Sequence, residues 1–305
     1  MANLDPIVRA LRTQCPGLEI LEHEPMRAHC SFRIGGPARA LVRPASAEET
    51  AAVCRIVRDG GAQPLIIGNG TNLLVTDGDV NRIVVQMGER MADVERADAT
   101  HLRAGAGIPL ARLAQAALGC GLAGLEFAHG IPGSVGGAVC MNAGAYGGEM
   151  RQVVREATVL FPEEGIRTLT VEELAFSYRH SLLTDCPDAV VLRAVFALEA
   201  GESTVIREKM DELMARRKAS QPLEYPSAGS TFKHPEGYFA AALIDQCGLK
   251  GLTVGGAQVS EKHAGFVINR GGAACADVLA LMAQVQQRVW EEKGVRLEPE
   301  VKVIH

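Results

Sequence analysis

The chain has 305 residues, of which 47% are hydrophobic and 22% charged, with a formal net charge of −5 and a pI near 5.9. That length supports two or three compact units with cores of their own, and the balance of apolar and charged residues excludes a disordered chain. The acidic balance argues against nucleic acid or an anionic membrane as the main partner, which leaves small molecules, with a local basic site if the ligand is an anion.

The eight cysteines, at 15, 30, 54, 120, 140, 186, 247 and 275, form no C-x-x-C pair and no cluster with histidine. Neither a metal site nor a disulfide framework is read from them, and reduced thiols are expected. The first residues lack the basic flank and apolar run of a signal peptide, and no apolar stretch reaches the roughly eighteen residues of a membrane span. A cytoplasmic protein without membrane insertion is expected.

Along the chain, Ser46-x-x-Glu49 reads as a capping box opening a helix with Val53, Ile56 and Val57 on one face. Short β-like runs follow at 65–67, 73–75, 83–85 and 101–104. After Pro109, the residues Leu110, Leu113, Ala114, Ala117 and Leu118 keep helical spacing until Gly119 and Gly121 stop it. A strand is expected at 158–161, a second capping box at Thr170-x-x-Glu173 before Leu174, and a strand at 190–198. The composition changes near Ala200-Gly-Glu-Ser203, which marks a domain boundary before a charged helix carrying Ile206, Met210, Leu213 and Met214. A strand at 266–269, a helix over 276–293 stopped by Gly294, and a strand at 297–304 complete an α+β reading. In that last strand, alternation puts Glu298 and Glu300 on one face.

Two glycine-rich segments point toward a nucleotide. The apolar run 65–67 leads into Gly68-Asn-Gly-Thr-Asn72 and then into a second β-like run. A dinucleotide fingerprint needs Gly-x-Gly-x-x-Gly opening a helix, but Leu73 holds the third glycine position, and Leu110 fills the equivalent place after Gly105-x-Gly107. What remains is a strand–loop–strand turn whose N–H groups converge on a pyrophosphate, or else a plain tight connection. The run from Gly124 through Gly130-Ile-Pro-Gly-Ser134, Gly136-Gly137 and Asn142-Ala-Gly144 to Gly148 is denser still. Such density implies close backbone approach to an extended cofactor, or a glycine-packed loop with no ligand.

These segments, together with Gly124-Leu-Glu-Phe127, Met141-Asn-Ala-Gly-Ala-Tyr-Gly147, Tyr178-Arg179-x-Ser181, Ser227-Ala-Gly-Ser230-x-Phe-Lys233 and Leu297-Glu-Pro-Glu300-Val, resemble the UDP-N-acetylenolpyruvoylglucosamine reductases, the MurB family of peptidoglycan synthesis. The resemblance spans about residues 26–304. It implies the vanillyl-alcohol-oxidase-type (PCMH) fold: two FAD-binding α+β subdomains plus a C-terminal α+β substrate-binding domain. On this chain that gives a helical lead-in at 1–25, an FAD-binding domain at 26–200 with subdomains of about 26–95 and 96–200, and a substrate domain at 201–305. With no inserted segment between Tyr178 and Ser230, the chain resembles the shorter, type II form.

The resemblance implies noncovalent FAD, NADPH as reductant, and reduction of UDP-N-acetylglucosamine enolpyruvate to UDP-N-acetylmuramate by a monomer or weak homo-oligomer. The implied cofactor contacts are Gly68, Asn69, Gly70, Thr71, Asn72, Gly130, Ile131, Pro132, Gly133, Ser134, Gly137, Asn142, Ala143 and Gly144. Hydride is implied to come from FAD N5. Arg179 matches the family's charge-stabilising arginine, Ser230 its proton donor and Glu300 its catalytic glutamate, while Lys218, Tyr178 and His234 fall at substrate-binding positions. Taken alone, Arg179 reads equally as a salt-bridge residue, Ser230 as a turn residue, Lys218 as a helix-end charge and Glu300 as part of an exposed strand face. The chain departs from the pattern at His234 and Gly265, where the family commonly has Asn. His129 and His180 read as structural, since no metal or triad spacing surrounds them. Another FAD oxidoreductase of the same fold, or a noncatalytic binding module, would need the glycine loops without Arg179, Lys218, Ser230 and Glu300 together.

Overall fold

The computed structural model describes residues 3–305, and the chain divides into two compact units. The first comprises residues up to Glu24, Arg39–Asn69 and Asn81–Ala215; the second comprises Pro25–Ala38, Gly70–Val80 and Arg216–His305.

In the first unit, the strands Glu19–Pro25, Pro37–Arg43, Val80–Gln86 and Leu65–Ile67 lie side by side in that order, their end residues passing into the second unit. Leu65–Ile67 runs parallel to Val80–Gln86, pairing Leu65 with Val84. A parallel pair needs its faces covered. The helix Ala47–Asp59 buries Val53, Cys54, Ile56 and Val57, and Ser46 caps it by accepting from the Glu49 N–H at 3.1 Å. The returning Glu49 carboxylate takes the N–H of Ala45 at 2.6 Å, one residue earlier than the box predicts.

A second, antiparallel sheet orders Gly165–Thr170, Val154–Phe161, Val190–Ala197, His101–Gly105 and Val94–Arg96. The helix Leu110–Gly119 buries all five residues of its expected apolar stripe, and each buried leucine contributes roughly 2 kcal/mol of transfer energy. The short helix Val135–Cys140 packs on Val190–Ala197 and buries Val135, Ala138 and Val139. The Thr170 box forms, with Thr170 N–H on Glu173 at 2.8 Å, but only a turn follows it. The chain reverses at Ala175, whose φ of +47° is incompatible with a continuing helix.

The second unit has its own core around Phe32, Leu74, Phe232, Leu281 and Val285. Its antiparallel sheet orders Ser227–Ser230, Phe266–Asn269, Ala257–Val259 and Thr253–Val254. The helix Cys275–Lys293 covers it with Val278, Leu281, Met282, Val285 and Val289, and ends at Gly294 with φ +66°. At its start Asp277 accepts from Ala274 and Gly256 N–H groups, which hold its carboxyl below the usual aspartate value.

The expected strand at 297–304 is shorter than its pattern. Only Lys302–Ile304 forms a ladder, parallel to Leu73–Val75, while Glu298 and Glu300 lie in an irregular approach held by a single bridge between Phe232 and Pro299. The bridge needs no N–H from the proline, because it is closed by Lys233 N–H on the Glu298 carbonyl at 2.9 Å and by Glu300 N–H on the Thr231 carbonyl at 2.8 Å, but no ladder extends from it.

None of the eight cysteines is in a disulfide, and burial pushes the Cys54 thiol up to about 11, away from reactivity. Among the described residues no helix is long and apolar enough to cross a membrane, and no cluster of His, Cys, Asp or Glu is placed to hold a metal ion.

Candidate active site

In the first unit the two glycine segments meet. Ser134 Oγ lies so close over Gly68 that any Cβ there would overlap it, and Asn69 Nδ2 donates to the Pro132 carbonyl at 3.1 Å. A side chain at Gly68 would require the Ser134 hydroxyl to turn away. Ser134 is 2% exposed, and its Oγ has no hydrogen-bond partner; neither has the buried Nδ1 of His129, just before Gly130. Two buried polar atoms lacking protein partners bracket the 130–134 loop, and each is open to a water or a polar ligand.

Much of the glycine density has another cause. A Cβ at Gly136 would press on Ala106, one at Gly144 on Gly148 and Glu149, and one at Gly148 on the Phe127 ring. Those glycines serve protein packing, so density alone overstates the cofactor argument. Gly137 differs: it is exposed, in the first turn of the helix Val135–Cys140, with no atom within 4 Å of where its Cβ would stand.

Asn142 is fully buried at φ +46°, and its side chain is engaged with protein. Its Nδ2 donates to Glu149 Oε2 and to the Ser177 carbonyl, both at 2.9 Å, and its Oδ1 accepts from the Arg151 N–H at 3.0 Å. Ala143 is buried beside it, its N–H on the Ala138 carbonyl at 2.9 Å. Ile131 closes the loop by donating to Ala128 at 3.0 Å, and the Gly133 carbonyl accepts from Leu110 at 3.0 Å.

Arg179 sits in a tight turn in which Ser177 and His180 exchange both backbone hydrogen bonds. Its φ is +55°, a conformation glycine prefers and arginine adopts only when neighbours enforce it. Its Nη1 donates to the Gly144 carbonyl at 3.3 Å, and its guanidinium lies 5.5 Å from the centre of the exposed Tyr178 ring. His180 binds the Asp185 carboxylate at 3.1 Å and holds the end of the turn.

In the second unit, Ser230 ends a bulged strand: Ser227 pairs with Ile268 and Ser230 with Phe266, so three steps on one strand oppose two on the other. Gly229, at φ +75°, takes up the extra residue, and the bulge re-aims the serine out of the regular alternation. Glu300 is brought next to it, its N–H donating to the Thr231 carbonyl at 2.8 Å. Asn72 fixes the other side of Glu300, donating from Nδ2 to its carbonyl at 3.1 Å while the Asn72 carbonyl accepts from Lys302 at 2.9 Å. Gly70 belongs to the same unit; at φ +61° it lies against the His29 carbonyl and accepts from Ser31 N–H at 3.1 Å, with half-buried Thr71 between it and Asn72.

Lys218 is exposed in the last turn of the helix Ser203–Ser220, where its charge suits the helix dipole. Sequence reasoning missed Lys262, whose Nζ donates to the Lys218 carbonyl at 2.7 Å and finishes that helix. His234 is exposed; its Nδ1 accepts from Ala240 N–H at 3.4 Å, and its ring meets Phe239 edge-on at 5.3 Å. At Gly265 the N–H donates to Nδ1 of His263 at 3.2 Å, and burial holds that imidazole below its ordinary pKa.

The C-terminal domain of UDP-N-acetylenolpyruvoylglucosamine reductase matches residues 221–304, and an FAD binding domain matches residues 38–170. The reductase of Agathobacter rectalis is 47% identical over 97% of this chain and 98% of its own length. The chain belongs to the UDP-N-acetylenolpyruvoylglucosamine reductase family. The reductase of Caldanaerobacter subterraneus subsp. tengcongensis is 48% identical over 92% of each chain. The crystal structure of the Thermus caldophilus MurB superposes with a TM-score of 0.78 at 37% identity, covering 94% of this chain and 99% of that one.

The chain is thus an α+β oxidoreductase of the MurB fold with FAD as its cofactor. The orphaned Ser134 Oγ and the open face of Gly137 fit such a group in this reductase. Replacing Gly137 with alanine removes about 1 kcal/mol of helix penalty, so the apoprotein is expected to melt slightly higher. FAD affinity is expected to fall by about tenfold or more as the methyl enters the open face. Titration of apoprotein with FAD beside its melting curve checks both; unchanged affinity would take Gly137 out of the cofactor site.

Proposed function

We propose that this reductase converts UDP-N-acetylglucosamine enolpyruvate to UDP-N-acetylmuramate, with NADPH as reductant through noncovalently held FAD. The observation that carries this reading is the backbone bond from Glu300 N–H to the Thr231 carbonyl, which brings Glu300 beside the bulged strand end that carries Ser230.

When bound, FAD would supply the hydride that the substrate's enol ether takes at its terminal carbon. The remaining demands fall on side chains. Negative charge grows into the substrate carboxylate, and the planar fork of Arg179 suits it. The adjacent carbon becomes basic, and Ser230 Oγ–H protonates it: a C–H bond forms, the O–H bond breaks, and the serine oxygen recovers a proton from solvent. A hydroxyl is a weak acid, so the transfer requires a strongly basic carbon and positive charge nearby to settle the oxygen. Glu300 organises that step, and Lys218, Tyr178 and His234 hold the nucleotide sugar. Gly68, Asn69, Gly70, Thr71 and Asn72, with Gly130 to Ser134, Gly137, Ala143 and Gly144, are assigned to the cofactor.

The test is anaerobic absorbance spectroscopy. NADPH is expected to bleach the flavin band and the enolpyruvyl substrate to restore it. A band that bleaches but does not return would remove this substrate from the reading.

A further inference from the structure

The helix Val135–Cys140 has a different task at each end. Gly137 and Ser134 lie at its start, in the cofactor loops, whereas its last carbonyl and the residues just beyond it grip the turn that carries Arg179. On one side of the arginine, Asn142 Nδ2 donates to the Ser177 carbonyl at 2.9 Å. On the other, Ser181 Oγ donates to the Cys140 carbonyl at 2.6 Å and accepts from Leu183 N–H at 3.2 Å. Both side chains are fully buried.

These bonds bear on strain. Arg179 at φ +55° occupies a conformation costing about 1 kcal/mol or more, which persists only where surroundings over-determine it, while Asn142 at φ +46° is of the residue type that adopts this region most readily after glycine. Asn142 is itself fixed by the Glu149 carboxylate, which also pairs with Arg151, and by the Arg151 N–H. Three of its four hydrogen-bonding positions are filled by protein groups in a buried site.

We propose that Asn142 and Ser181 are positioning residues that register the Arg179 turn to the cofactor loops, and that the side chain of Asn142 is not a cofactor ligand. The proposal rests on the reading of Arg179 as the group facing the substrate's charge.

Asn142→Gly is the informative variant, because glycine keeps the positive φ without strain and removes only the side-chain bonds. In the holoenzyme, FAD affinity and the rate of flavin reduction by NADPH are expected to stay within about threefold. Reoxidation by the enolpyruvyl substrate is expected to slow by about 100-fold, the scale of a displacement near 1 Å at a reacting group. In an Arg179→Ala background the same change is expected to add less than about twofold, since the group it positions is gone. A merely structural residue would instead multiply its loss into that background.

Ser181→Ala is the second variant, with the same expected pattern, and its fold is protected because Thr184 Oγ1 still donates to the Cys140 carbonyl at 2.9 Å. FAD loss parallel to activity, independent losses in the double variant, or unimpaired reoxidation in the single ones would overturn the proposal. Normal reoxidation in Arg179→Ala alone would instead overturn the reading of Arg179, so the two failures are separable.

Discussion

Replacing Ser230 with alanine is expected to leave flavin reduction by NADPH within about twofold of wild type, while reoxidation by the enolpyruvyl substrate falls by about 10²–10⁴-fold. The two halves separate because reduction asks nothing of a proton donor on the substrate side, whereas the second half ends in a new C–H bond. The backbone around Ser230 is held independently of its hydroxyl. The strand end is fixed by the Thr231 N–H on Gly265 at 2.8 Å, by the Glu300 N–H on Thr231 at 2.8 Å, and by Thr231 Oγ1 accepting from Val267 at 3.0 Å. Deleting one oxygen from a half-buried position therefore removes the proposed acid without moving the bulge. Ser230→Cys keeps a donor at the same place, and recovery of part of the lost rate would mark the hydroxyl as an acid and not a packing atom. Stopped-flow absorbance of each half separates the cases. Equal slowing of both halves would show that Ser230 shapes the site without donating a proton.

The elements of the fold were legible wherever local pattern decides the outcome. The strands Leu65–Ile67, Leu73–Val75 and Phe266–Asn269 appear where apolar runs meet turn residues, and Cys275–Lys293 stops at Gly294 because only that residue adopts left-handed backbone freely. Legibility failed where partners are distant. The strands Glu19–Pro25 and Pro37–Arg43 carry prolines at their ends and weak alternation, so nothing local announces them, and they exist because the sheet supplies neighbours. The pattern at 297–304 predicts one continuous strand, whereas only the bridge at Pro299 and the ladder Lys302–Ile304 form. At the site, motif resemblance names the proposed reacting groups but not the residues that support them. Asn72 acts on the Glu300 carbonyl 228 residues away, and Asn142 on Ser177 across 35, contacts that no spacing rule encodes. The same limit explains the glycines: Gly148 reads as a cofactor signal until Phe127 is seen beneath it.

Arg179→Gly is expected to cost about 10²–10³ in turnover with little or no loss of thermal midpoint, a combination ordinary surface or core residues do not show. Removing the side chain forfeits a 3.3 Å bond to the Gly144 carbonyl and the packing on Tyr178. Against this, glycine at φ +55° relieves about 1 kcal/mol of backbone strain, the same order as a single net hydrogen bond, so the two effects nearly cancel in stability. They do not cancel in the proposed reaction, where a fixed guanidinium facing growing carboxylate charge would have no substitute. Arg179→Lys is expected to recover little, because a point charge on a flexible stem cannot reproduce a two-pronged fork, and it keeps the unfavourable φ. Melting curves beside reoxidation rates for both variants decide the matter. A glycine variant that loses stability in proportion to activity would place Arg179 among the scaffold residues, and a lysine variant with near-normal reoxidation would show that charge alone, without the planar geometry, is what the site requires.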